Sequence, residues 1–341
     1  MDVALLTLGD PDRMSGGSLF DQRLAERAPQ HSARVTFCSV RELAAPLPLL
    51  ASASALRRIR RSRPDVLVVD SIAATYVAPW LPVLRRPAAA LIHQPPGGVE
   101  RRAIGAWLDR ATYRQLDLLL ATGPELADEL APLGVPVRVL PPGRDAPIPD
   151  EDVGDLRRGR GAAILCVANW LPAKGIVELV EAFAALPDEA ATLHLVGGAT
   201  DAAYAGRLRA RLAQHDLRDR VVVHGALPPA AVAATYRAAD VFALPSYSET
   251  YGMAWAEAMD AGLPVVGWRA TNLPNLVDHE REGLLVEAGD VAALAAALRR
   301  LVDDAPLRRR LGANARRRAS ARATWDQTAE AFFAALRRIS R

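Results

Sequence analysis

Glu249, Gly252 and Glu257 stand in LPSYSETYGMAWAEAMDAGLPVVGW, a stretch that reads as strand end, loop, helix and strand. Gly252 falls just before an Ala-rich helix, so unpaired backbone N–H groups at Thr250, Tyr251, Gly252 and Met253 and the positive end of the helix dipole face whatever binds there. This is an anion site with the carboxylate of Glu249 beside it. Glu257 lies eight residues beyond Glu249, about one turn into the helix, and can reach back to the same opening because helical side chains lean toward the N-terminus. Two glutamates at this spacing are ordinary on a solvated helix face. The strand in AGLPVVGW that follows changes the reading, because a helix between buried parallel strands aims its first turn at the ligand-binding edge of the sheet.

Of the chain's 42 lysines and arginines, only Lys174 is a lysine. It opens the helical pattern KGIVELVEAFAAL after VANWLPA, where a compact cation can meet a diphosphate; the ordinary alternative is a surface lysine. His93 ends the strand of ALIHQPPGG, again at a ligand edge, and Pro95, Pro96, Gly97 and Gly98 stiffen the loop behind it. A lone histidine is more often structural than functional. Gly16 and Gly17 precede a helix and allow backbone to approach a ligand closely, or they mark a flexible loop. Asp10 and Asp12 form an Asp-x-Asp pair, but Pro11 and Arg13 make a turn the better reading, and two neighbouring carboxylates are too few oxygens for a hard divalent cation. No metal site is expected.

Apolar runs alternate with helical patterns along the whole chain. VALLTL, ARVTFC, DVLVVD, AAALIH, LDLLLAT and VRVL read as strands of one parallel sheet, and AAILCV, TLHLVG, RVVVHG, DVFALP, LPVVGW and GLLVE as strands of a second. PPGRDAPIPDEDVGDLRRGRG between them is the natural linker. The fold class is therefore α/β with two doubly wound, Rossmann-like parallel-sheet domains facing a central cleft, and 341 residues suit two such domains. The expected division is residues 1–147, residues 148–323, and a C-terminal helix over 324–341, opened by Trp325, that packs back on the first domain.

A hydrophobic content of 50% supports sizeable cores, and no apolar run approaches the roughly 20 residues of a membrane span. The opening strand MDVALLTLGD lacks the charged start of a signal peptide, so a cytoplasmic location is expected. Cys38 and Cys166 sit in apolar runs of different domains and read as buried thiols. The net charge of +3 invites a nucleic-acid partner, but the arginines are dispersed and aromatics make up only 5%. Arg57 to Arg63, RRIRRSR, reads first as the solvated end of a helix.

These motifs, together with VRVLPPGRD, VVVHGALPP and EGLLVEAGD in this order, resemble the retaining family-4 glycosyltransferases, whose signature is Glu, seven residues, Glu, and whose fold is GT-B. The resemblance implies a hexosyltransferase that moves a sugar from a UDP- or GDP-sugar, bound as substrate with no further cofactor, to an acceptor hydroxyl or similar nucleophile on a small molecule, glycan or lipid-linked compound. Lys174 and the loop amides would hold the diphosphate, Glu249 the sugar hydroxyls, Glu257 the ribose, and His93 would lie beside the donor sugar. Gly16 and Gly17 would face the diphosphate or the acceptor. Base recognition in the family runs largely through main chain near HGALPP. Some relatives rest a basic surface of the first domain on anionic membranes, which leaves Arg57 to Arg63 a second role. Two positions depart from the pattern: Asn169 replaces a common arginine, with Arg144 or Arg269 as conceivable substitutes, and Ala270 to Val277 replaces a glycine-rich turn ending in Pro-Glu. A sugar-nucleotide epimerase or hydrolase of the same fold, and a non-catalytic basic surface-binding protein, are the rival readings.

Overall fold

The computed structural model describes residues 1–9, 16–40, 57, 59–84, 86–98, 103–144 and 153–340. They form two compact units, Met1–Gly143 with Ala323–Arg341, and Arg144–Arg322.

The first unit holds a six-stranded parallel sheet of β1 (Asp2–Leu8), β2 (Arg34–Val40), β3 (Val66–Asp70), β4 (Ala88–Ile92), β5 (Leu118–Ala121) and β6 (Val137–Val139), in the order β2-β1-β3-β4-β5-β6. β3 and β4 are buried at every residue, as the uninterrupted apolar runs VLVV and AAALI require of strands covered on both faces. The chain reverses its direction of travel across the sheet between β1 and β3, so the loops leaving these strands part and open a crevice at their C-terminal ends. The helix Gly16–Arg27 follows β1 at this point. The last helix, Trp325–Ile339, starts in a capping box between Thr324 and Gln327 and packs on Gly16–Arg27, with Trp325 edge-on to Phe20 at 5.1 Å. Gly143 is required beside it, since a Cβ there would lie 2.3 Å from the Trp325 backbone nitrogen.

The second unit repeats the plan with β7 (Ala162–Val167), β8 (Ala191–Val196), β9 (Val221–Gly225), β10 (Val241–Ala243), β11 (Val265–Trp268) and β12 (Gly283–Val286), ordered β12-β11-β10-β7-β8-β9 and parallel throughout. Its core is built around Phe183, Phe242, Trp255 and Trp268, all fully buried. Here the reversal falls between β7 and β10. Cys38 and Cys166 are buried cysteines outside any disulfide, one in each unit. Among the described residues no helix is long and apolar enough to cross a membrane.

Of the RRIRRSR run, Ile59 is buried, Arg60 and Arg61 are exposed, and Arg63 terminates the turn at φ 45°. Asp10 and Asp12 lie outside the described residues.

Candidate functional site

In the second unit Lys174 follows β7 and Glu249 follows β10, the adjacent strands at which the sheet order reverses. Their loops are stitched together by backbone and hydroxyl bonds: Tyr247 N–H donates to Ala173 O at 2.7 Å, and Ser246 Oγ to the same oxygen at 2.9 Å. The outcome is an ion pair between Lys174 Nζ and Glu249 Oε1, with side chains 21% and 16% exposed. The family resemblance implies separate tasks for these two residues; the fold makes them partners. It also corrects the start of the helix. Pro172–Lys174 is a turn of 3-10 helix, Gly175 takes φ 65°, and the α-helix runs only over Ile176–Ala184. Gly175 cannot be replaced easily, because a Cβ there would lie 2.1 Å from Pro245 O.

The helix Met253–Ala261 begins behind Gly252, which sits at φ 88° with no side-chain cap. The first helical bond is Ala256 N–H to Gly252 O, so the amides of Met253, Ala254 and Trp255 have no intrahelical acceptor. A Cβ on residue 252 would lie 2.1 Å from the indole of Trp255, whose Nε1 is anchored to Leu244 O at 3.1 Å. Glycine is thus demanded twice, by φ and by the tryptophan beneath it. The Thr250–Tyr251 end of the loop is clamped from two sides: Asn272 Nδ2 donates to Tyr251 O at 2.7 Å, and Arg322 donates to the Tyr251 hydroxyl at 3.2 Å and to Ala256 O at 3.0 Å. Neither clamp was apparent in the sequence, although Asn272 lies in the stretch that departs from the family pattern.

Glu257, on the same helix, is half-buried and acts on Tyr236, whose phenol is pushed well above its usual range by burial and then by the charge of Glu257. Asn169 is committed elsewhere: its Oδ1 accepts from Gly198 N–H at 3.1 Å and holds the Gly197–Gly198 turn. The site therefore has no cation at this position. Arg269 is paired with Glu287 at 3.4 Å. At Arg144, Nε is buried with no hydrogen-bond partner among the described residues.

In the first unit His93 follows β4 directly, at the C-terminal edge of the sheet. Its N–H donates to Ser71 Oγ at 3.1 Å, and its ring meets Phe20 edge-on at 5.2 Å. Gly17 lies against the ring, where a Cβ would stand 3.4 Å from His93 Cδ2. Gly16 and Gly17 are inside the first turn of the helix rather than in a loop, so what Gly17 supplies is space for the imidazole. Beneath His93 the fold assembles what spacing could not reveal: Asp21 from the helix, Asp70 from the end of β3, and His93, each with an oxygen or nitrogen within 4.8 Å of the others. Burial raises the Asp21 carboxyl to about 7. Burial alone would lower His93, but Asp21 and Asp70 outweigh it and raise the imidazole above its ordinary value.

Two doubly wound units, each with polar side chains gathered at the C-terminal edge of its sheet, define a GT-B protein. The chain belongs to the family-4 glycosyltransferases: the profile described as Glycosyltransferase Family 4 matches residues 2–146, and that described as Glycosyl transferases group 1 matches residues 151–318. Similar curated proteins include a D-inositol 3-phosphate glycosyltransferase of Xylanimonas cellulosilytica, 37% identical over 63% of this chain and 55% of the relative. The one from Jonesia denitrificans is 33% identical over 74% of this chain and 60% of the relative. The chain thus spans little more than half the length of these relatives. Among solved structures, sucrose-phosphate synthase of Thermosynechococcus elongatus superposes with a TM-score of 0.86 at 23% identity, covering 99% of this chain and 98% of that one. HepE of Anabaena in complex with UDP-glucose gives 0.81 at 20% identity, covering 98% and 100%. At these identities the likeness concerns the fold.

Proposed function

We propose that this protein transfers a hexose from a nucleoside diphosphate sugar to an acceptor hydroxyl, with retention at the anomeric carbon and without a metal ion. The observation that carries the reading is the Lys174–Glu249 pair set beside the uncapped start of the helix Met253–Ala261. An ammonium and free amides suit a diphosphate, and a carboxylate within reach suits sugar hydroxyls. As the bond to the sugar breaks, negative charge grows on the departing diphosphate; Lys174 and the amides of Thr250, Tyr251, Gly252 and Met253 stabilise it. Glu249 exchanges its contact with Lys174 for the sugar hydroxyls and Glu257 accepts from the ribose, while at the sheet edge of the first unit His93 offers its ring to a sugar hydroxyl. Gly16 and Gly17 leave room at the same edge of the first unit. Neither glutamate is assigned as a covalent nucleophile, so the acceptor attacks on the face the diphosphate leaves, and that phosphate takes the acceptor's proton.

A UDP-hexose is the donor to try first, because the HepE neighbour was solved with UDP-glucose. A phosphorylated polyol is the acceptor to try first, since the curated relatives are named for D-inositol 3-phosphate. The test is a melting panel with UDP, GDP, ADP and dTDP, followed by donor consumption with and without acceptor and NMR of the product's anomeric proton. At ligand a hundred times its Kd, about 2.7 kcal/mol of linkage lifts the melting midpoint by several degrees for the matching nucleotide. Consumption that needs no acceptor would establish a hydrolase or epimerase instead, and an inverted product would remove the same-face mechanism.

A further inference from the structure

We infer that Asp21 is a positioning residue for His93: its carboxylate, placed under the imidazole by the first helix, fixes which ring nitrogen faces the substrate and keeps that nitrogen a hydrogen-bond donor at neutral pH. The inference rests on the sugar-transfer reading of the site and adds to it a residue outside the family signature.

The geometry starts with the ring. His93 is tied by its backbone to Ser71, flanked by Phe20 and backed by Gly17, so little remains free except which nitrogen points where. Nε2 is the inward one. It is buried, it lies 3.5 Å from Asp21 Oδ1, and neither atom has a hydrogen-bond partner among the described residues. That separation is long for a hydrogen bond, as such contacts often are before substrate binds.

Asp21 is only 2% exposed, and burying a carboxylate with an unpartnered oxygen is expensive. Its neighbour Asp70 has clear structural duties: it caps the turn Ser71–Ala73 through Ile72 N–H at 3.1 Å and receives the hydroxyls of Ser71 at 3.2 Å and Thr7 at 3.5 Å. Asp21 stands beside both Asp70 and the histidine, and its Oδ1 is the atom that approaches the ring. A carboxylate behind an imidazole selects the tautomer with hydrogen on the near nitrogen and stabilises the imidazolium. With Nε2 turned to Asp21, Nδ1 is the nitrogen left for a sugar hydroxyl, and in the imidazolium it donates.

Among the described residues, the groups acting on this ring are all acidic or neutral. Asp21 comes from the helix Gly16–Arg27 and Asp70 from β3; Thr7 and Ser71 contribute hydroxyls; Tyr113 and Asp109 of the helix Ala103–Tyr113 act further out, on the side of Asp70. Among the described residues no cation offsets the two carboxylates that favour the charged ring.

The experiment compares wild type, Asp21→Asn and Asp21→Glu. The His93 ring is titrated by nitrogen-15 NMR without substrate, using His93→Gln for assignment, and kcat/KM for donor consumption is followed from pH 5.5 to 9. In Asp21→Asn the His93 titration moves to lower pH. Its kcat/KM stays close to wild type at the acid end and falls by about tenfold to a hundredfold at the alkaline end, the loss of a charge-assisted hydrogen bond. Asp21→Glu restores part of the alkaline limb. An unmoved His93 titration would overturn the inference, as would an equal loss of activity at every pH accompanied by a lower melting temperature. Stoichiometric divalent metal in wild type, lost in Asp21→Asn, would also overturn it and make the cluster a cation site. Should wild type transfer no sugar while the titration still moves as stated, the Asp21–His93 coupling stands and the transfer reading falls.

Discussion

Replacing Lys174 by alanine tests the site at its centre. Exposed ion pairs contribute about 0–1 kcal/mol to stability, and breaking a fully buried one costs about 3–5 kcal/mol. With side chains 21% and 16% exposed, the Lys174–Glu249 pair lies between these limits, and Glu249 keeps some access to water when its partner goes. Lys174→Ala should therefore lower stability by about 1–2 kcal/mol. The effect on turnover is larger, because Asn169 supplies no second cation and holds Gly198 instead. One charge-assisted contact to a departing diphosphate is worth about 2–4 kcal/mol, so kcat/KM should fall roughly thirty- to a thousandfold. Lys174→Arg should recover only part, since a planar fork does not fill the place of a compact ammonium. The pairing adds a second arm. Glu249→Gln frees the ammonium, so the melting shift produced by the matching nucleotide alone should grow while sugar transfer drops. The assay is nucleotide-dependent melting together with donor consumption at saturating acceptor, for both single variants and the double variant as a cycle. A Lys174→Ala enzyme within twofold of wild type, with an unchanged nucleotide shift, would refute the reasoning.

Gly252→Ala must strain a backbone at φ 88° and set a methyl 2.1 Å from the Trp255 ring, so urea melts should show a loss of about 2–4 kcal/mol and nucleotide binding should disappear. Asn272→Ala removes the donor to Tyr251 O, which should cost about 1–2 kcal/mol in stability and raise the donor KM, as read in steady-state kinetics and thermal melts. Asp21, raised to about 7, and His93, also raised, both hold protons more tightly in the folded state than in the unfolded one. Their stabilisation is therefore complete below the unfolded values and is lost as pH rises through the folded ones, so wild-type melting temperature should fall from about pH 4 to about pH 7 and on through the His93 titration, and Asp21→Asn should flatten the acid part of that fall in fluorimetric scans. Turnover should persist in EDTA; loss restored by Mg²⁺ or Mn²⁺ would return attention to Asp10 and Asp12.

Much of this architecture was legible in the chain because its signals are local. Buried parallel strands announce themselves as apolar runs such as VLVVD and AAILCV, and Gly252 before an Ala-rich segment marks a helix start wherever it occurs. Glu249 and His93 could be placed at strand ends for the same reason. What tertiary structure alone decided are the partnerships. Lys174 and Glu249 are separated by 75 positions and meet because β7 and β10 are neighbours at the point where the sheet order reverses. Asp21, Asp70 and His93 come from a helix and two strands, and nothing in their spacing hints that one buried spot receives all three. Asn169 looked like a missing cation and Asn272 like a divergent turn, until the fold showed each holding a backbone group of a neighbouring loop. Periodicity reports which face of an element is buried, but only the order of strands in the sheet determines which loops share an edge, and with it which charges stand close enough to act on one another.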